Sequence, residues 1–163
     1  MGKFIFLDID GVLNSMDFLH LNVLNARVNK TDFKGKDIHG HLFDPRCVLA
    51  LDCLIKATDA DIVITSDWRF AGLDAMKQLW SDRGLPGNIV GITSFSGGIR
   101  GQDIYDYMRI NDIYPVIDKY LIIDDDSDFL DSQLPHFIQT GFKFGLSFDD
   151  VLKGIDILNK NNT

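Results

Sequence analysis

The chain has 163 residues, 45% of them hydrophobic and 25% charged, which is the composition of one globular domain with a sizeable core. Its net charge of −8 argues against general nucleic-acid binding, which depends on Lys and Arg neutralising phosphates, but not against a substrate carrying one phosphate. No apolar run approaches a membrane span; no secretory leader is expected, nor a myristoylation signal, since Phe6 stands where Ser or Thr is needed.

Residues 3–8 predict the first strand: Phe4-Ile-Phe-Leu is a continuous apolar run, as in a strand buried on both faces, and it ends in Asp8. Asp10 follows two residues on, and Gly11 supplies permissive backbone for a sharp exit. Two carboxylates this close repel, and a divalent cation is the usual way to keep both ionised. Residues 14–43 read as an irregular polar insertion with a little helix around Met16–Leu24. Its basic residues (Arg27, Lys30, Lys34 and Lys36, with Arg46 just beyond) and its His20, His39 and His41 read as a solvated loop face.

Asp44-Pro45 opens a helix, with Asp as N-cap and Val48, Leu51, Leu54 and Ile55 as the apolar face. Cys47 and Cys53 stand six residues apart within it, on different faces, and read as reduced core residues, with the cytoplasm as default compartment. Asp61–Ser66 is a second buried strand ending in Thr65 and Ser66. A helix over 71–82 carries Leu73, Met76 and Trp80 and stops at Gly84. Residues 88–92 form a third strand, Gly97-Gly98 a flexible joint, and 101–110 a helix with Ile104, Tyr107 and Met108 inward.

Tyr120–Ile123 is the fourth strand and runs into Asp124-Asp125-Asp126-Ser127-Asp128; Asp126 and Asp128 read as N-terminal acids of the next helix. His136–Gln139 is a short fifth strand. Ser147 caps the last helix, with Asp149 and Asp150 in its first turn and Val151, Leu152, Ile155 and Leu158 toward the core; residues 159–163 are a frayed tail. Alternating strands and helices predict one α/β domain over 1–163: a three-layer α/β/α sandwich on a mainly parallel sheet of about five strands.

Strand ends along one edge of a parallel sheet meet in one crevice. Asp8, Asp10, Asp124 and Asp125 converging there are hard oxygen ligands suited to Mg²⁺, and the absence of His and Cys from the set argues against zinc. The chain carries no phosphate-binding Gly-rich loop and no Ser-His-Asp arrangement.

These residues resemble the motifs of the haloacid dehalogenase superfamily of phosphohydrolases over nearly the whole length. Asp8-Ile9-Asp10-Gly11 is similar to its first motif, Thr65 or Ser66 to its second, Arg100 to its third, and Asp124-Asp125 to its fourth. The resemblance implies Asp8 as nucleophile forming an aspartyl-phosphate, and Asp10 as acid and then base. It implies Mg²⁺ held by Asp8, the Asp10 carbonyl and Asp125, with Asp124 as the second choice for that acid. Thr65 and Ser66 would bond the phosphoryl group, and Arg100 would neutralise charge and orient Asp8; Lys119 competes for that place but precedes its strand. Asp128 is also open to a role positioning a metal-bound water.

Ser66-Asp67-Trp68-Arg69 is similar to compact members associated with RNA-repair proteins; Arg69 is open to gripping the substrate, with Gly11 also on the substrate side, or to being a helix-start arginine paired with a nearby acid. Only about thirty residues are available for a cap, which implies an open crevice suited to a bulky substrate such as a nucleic-acid end or a phosphoprotein, or to a partner subunit as lid; the expected partner is a phosphorylated small molecule or nucleic-acid end. A homo-oligomer stays open. The competing readings are a phosphorylatable receiver-like domain and a catalytically silent binding module.

Overall fold

Three strands lie in register at the centre of the molecule. The computed structural model describes residues 2–32, 35–113 and 119–160; Lys34 and residues 161–163 of the predicted tail lie outside that set. Strand β1 (Phe4–Leu7) pairs in parallel with β4 (Asp61–Ile64) on one side and β6 (Tyr120–Asp124) on the other. Strands β5 (Ile89–Ile92) and β7 (Phe137–Gln139) extend the sheet in the order β5-β4-β1-β6-β7. Leu7 stands level with both Ile64 and Ile123, so the next residue of each strand (Asp8, Thr65 and Asp124) reaches the same edge.

Side-chain alternation divides the core. Ile5, Leu7, Ile62, Ile64, Leu121 and Ile123 face the side covered by α2 (Pro45–Thr58), α3 (Leu73–Asp82) and α5 (Phe148–Asn159). Phe6, Val63 and Ile122 face Ile104 and Met108 of α4 (Arg100–Ile110), together with Phe129. The result is the expected α/β sandwich with helices on both faces, unequally distributed. Asp44 and Ser147 cap their helices as predicted, and both cysteines are free.

Four local expectations need correction. The described residues of the insertion carry regular structure: α1 runs Met16–Asn29, and a hairpin of β2 (Lys36–Asp37) and β3 (Gly40–His41) follows. Helix α1 buries none of its side chains, so it leaves no apolar periodicity to read; its signal is the Ser15 N-cap, which accepts from Phe18 N. The helix read over 71–82 begins two residues later, at Leu73: a 3₁₀ segment, Asp67–Ala71, precedes it, and Gly72 turns between them. Leu152 is exposed; the core side of α5 is Val151, Gly154 and Leu158. Finally, Asp126 and Asp128 do not start a following helix, since the next helical segment, a 3₁₀ turn, begins at Asp131.

Among the described residues no helix is long and apolar enough to cross a membrane.

Candidate active site

The strand-end row places Asp8 at the centre of the crevice, only 4% exposed. Arg100, at the start of α4, reaches it across the sheet edge: Nη1 lies 3.1 Å from Asp8 Oδ1 and 2.5 Å from Asp124 Oδ2. Helix α4 is held in place for this by Asp128, whose Oδ2 accepts from Arg100 N at 2.9 Å and whose carbonyl accepts from Gly101 N. Asp128 therefore caps the helix before its strand, not the one after it. Lys119 lies at the opposite end of β6, where its carbonyl accepts from Phe4 N at the start of β1.

Asp125 enters from the same strand end through a space made by Gly11. A Cβ on Gly11 would stand 2.5 Å from the Asp125 Cγ, and the Gly11 φ of +71° disfavours any side chain. The Gly11 carbonyl accepts from Thr140 Oγ1 at 2.9 Å, which fastens this turn to the segment beyond β7. Asp8, Asp124 and Asp125 each offer a carboxylate oxygen within 4.8 Å of the others.

Three acids share this space with a single guanidinium, and their proton affinities record the imbalance. Burial and the adjacent Asp124 push Asp8 up to about 7, even though Arg100 and a hydrogen bond with the Ser66 side chain pull it down. Burial lifts Asp124 to about 6 against the opposing pull of Arg100. Asp125 is raised as well, by burial and then by Asp126. A hard divalent cation would relieve the repulsion of all three, and the all-oxygen donor set fits Mg²⁺.

Asp10 is built differently. Residues 9–14 form a tight turn in which Leu13 and Asn14 N donate to the Ile9 carbonyl. Asn14 Nδ2 donates to Asp10 Oδ1 at 2.5 Å, and Trp68 Nε1 donates to Oδ2 at 3.0 Å. The exposed carboxylate is therefore held at the crevice mouth by two donors, with its oxygens outside the three-acid cluster. Trp68 is itself wedged: its ring lies 5.6 Å from that of Phe43, and a Cβ on hairpin residue Gly40 would meet it at 3.2 Å. Arg83 stacks on Phe43 at 4.4 Å and ties down the hairpin through Asp37 at 2.7 Å, while His39 Nε2 lies 2.8 Å from Asp82 Oδ2. Two of the insertion's polar residues thus fasten it to the body of the protein.

Asn14 and Trp68 are the site residues that sequence reasoning missed. Each had a signal, because Asn14 closes the turn that begins at Asp10 and Trp68 lies between Ser66 and Arg69.

The structure separates the two hydroxyls that were left unranked. Ser66 bonds the Asp8 carboxylate and caps the 3₁₀ segment by accepting from Trp68 N. Thr65 is fully buried, and its Oγ1 has no partner among the described residues. Of its two readings, Arg69 takes the pairing with an acid and not the substrate side. Its guanidinium is buried, donates to the Thr65 carbonyl and pairs with buried Asp103 at 3.2 Å, locking the end of β4 to α4. The cause is Asp103, a buried acid one turn into α4 that needs a cation and whose position sequence spacing does not reveal.

A family model described as HAD domain in Swiss Army Knife RNA repair proteins matches residues 4–151, a span that includes every strand-end residue described above. No curated protein and no solved structure matches the chain.

Proposed function

The chain belongs to the family of HAD domains in Swiss Army Knife RNA repair proteins, and on that basis we propose that it is a Mg²⁺-dependent phosphomonoester hydrolase working through an aspartyl-phosphate on Asp8. Membership suggests phosphohydrolase chemistry in general. The observation that carries the finer reading is the placement of buried Asp8 against Arg100 and within reach of Asp124 and Asp125.

An Asp8 carboxylate oxygen forms a bond to phosphorus as the bond to the leaving oxygen breaks, and Asp10 gives that oxygen its proton. Asp10 then takes a proton from water, the resulting oxygen bonds to phosphorus, and the Asp8–phosphorus bond breaks. Arg100 holds Asp8 in line and offsets charge on the phosphoryl oxygens. Ser66 orients the Asp8 carboxylate, and the unpartnered Thr65 hydroxyl is a donor available to the same group. Trp68 and Asn14 fix the direction of Asp10 and leave it exposed to exchange protons with water. Asp8, Asp125, Asp124 and the Asp10 carbonyl would hold Mg²⁺, which supplies positive charge where two anions must approach.

The substrate class we favour is a nucleotide or a nucleic-acid end phosphate, in keeping with the family's association with RNA repair proteins and a short, hairpin-based cover over the site. The cytoplasm, where free thiols persist, is the proposed compartment. The test is phosphate release from an aryl phosphate with Mg²⁺ or with a chelator. Release should require the metal and vanish in Asp8→Asn; metal-independent release, or release by that variant, contradicts the proposal.

A further inference from the structure

A cavity of about 170 Å³ opens beside Asp10, between α1, the β2–β3 hairpin and the turn at 141–145. Its walls include Phe18, Leu19 and Phe142, with Asn22 and His41 adding polar edges. We propose that this cavity is the leaving-group subsite and that it takes the nucleoside of a nucleoside monophosphate or of a terminal nucleotide. The inference rests on the phosphatase reading for its orientation, because Asp10 is the group that protonates the leaving oxygen. Whatever that oxygen carries must lie on the side of Asp10 away from Arg100 and Asp124, and the described lining of the cavity includes Asp10 but neither of those two residues.

Its chemistry narrows the occupant. Among the described residues Asp10 is the only acid lining it and no Lys or Arg does, so that lining offers a second phosphate or a carboxylate on the leaving group no fixed cationic partner. The apolar walls likewise disfavour a polyhydroxyl chain, whose hydrogen bonds to water would be lost. An apolar cavity of about 150 Å³ is enough to take up a benzene ring, so this one accommodates a planar ring system.

Length decides between a ring on the ester oxygen and a ring set further back. The lining on α1 runs from Met16 to Asn22, six residue steps, which is about 9 Å along a helix axis. A phenyl ester fills only the end near Asp10, whereas a ribose at the mouth places a base among Phe18, Leu19 and Phe142. The far end also has the polar edge that a base requires and a phenyl ring does not. Asn22 Nδ2 is committed to the Phe18 carbonyl at 3.0 Å, which leaves Oδ1 as an acceptor for a base N–H.

The probe variant is Leu19→Trp, on a helix that buries none of its side chains and therefore tolerates the change without unfolding. Two measurements are made on wild type and variant. The first is kcat/KM for nucleoside 3′- and 5′-monophosphates, glycerol phosphate and phosphotyrosine. Wild type should favour a nucleotide over glycerol phosphate by roughly tenfold or more, and the variant should lose most of that ratio. The second is binding of the uncharged nucleosides by NMR titration, which requires no turnover. Wild type should show saturable shifts in α1 that the variant lacks. Phosphotyrosine preferred over every nucleotide, or nucleoside binding that is absent or unaffected by Leu19→Trp, overturns the proposal. Nucleoside binding without hydrolysis of any ester would uphold the subsite and count against the phosphatase reading instead.

Discussion

Trp68 Nε1 donates to Asp10 Oδ2 at 3.0 Å, so an indole carried by the segment after β4 aims the carboxylate that follows β1. The bond spans 58 residues of sequence and joins the first two motifs of the site into one unit. Asn14 constrains the other oxygen, so removing the indole bond frees half of the restraint on Asp10.

Trp68→Phe keeps an aromatic ring between Phe43 and the hairpin but deletes that donor. We expect kcat to fall roughly tenfold with KM little changed, as for a group that positions an acid and base without touching substrate. Steady-state kinetics on a poorly activated alkyl phosphate, which needs the proton, should show a larger loss than on an aryl phosphate. Equal losses on both would mean that Trp68 does not act through Asp10.

Arg100 separates charge from geometry. Arg100→Ala should lower kcat by about a hundredfold or more, because it removes the cation facing the reacting phosphoryl group. Arg100→Lys keeps the charge but loses the planar fork, and should recover only part of that loss. Complete recovery by Lys would show that Arg100 contributes charge alone.

Gly11 carries the close approach of Asp125. Gly11→Ala places a methyl group 2.5 Å from the Asp125 Cγ at a φ of +71°, and should destabilise the fold by about 1–3 kcal/mol. The more telling effect is on Mg²⁺ binding by calorimetry, which should weaken because Asp125 is displaced. Unchanged affinity would remove Asp125 from the ligand set.

The raised acids make stability depend on pH in a definite direction. Asp8 and Asp124 titrate near 7 and 6 in the fold, against an ordinary value of 3.8, so across that window the folded protein holds protons that the unfolded chain has released. Stability of the metal-free protein should therefore be greatest with respect to these groups near pH 4 and fall as pH rises toward 7. Carboxylates with lowered values, such as Asp37 at about 2, act below this window and do not mask the slope. Thermal melts in chelator should show Tm declining between pH 5 and 7.5, with Mg²⁺ restoring more at pH 7.5 than at pH 5. Asp124→Asn should flatten the decline. A Tm that rises over this interval in chelator would contradict the reading.

Much of this arrangement was legible in the sequence because it depends on short-range patterns. The apolar runs ending in Asp8, Thr65 and Asp124 mark the three strands whose register builds the crevice, and Gly11 marks the turn that Asp125 fills. Helix α1 was not legible at full length, since a helix with no buried face has no hydrophobic period to display. Arg69 could not be settled between substrate and ion pair for a different reason. Its partner Asp103 lies 34 residues away on α4, and only the packing of α4 against the sheet brings the two together. The roles of Trp68 and Asn14 were missed because a single donor carries no periodic signal.

The central claim is that Asp8 accepts the phosphoryl group, and Asp10→Asn tests it most directly. With an aryl phosphate the leaving oxygen needs little protonation, so the first step proceeds while the second lacks its base. Acid quenching followed by peptide mass spectrometry should find the phosphoryl group on Asp8, at less than one equivalent in Asp10→Asn and at none in the Asp8→Asn/Asp10→Asn double variant. A phosphoryl group on any other residue, or phosphate turnover persisting in Asp8→Asn, would contradict the account.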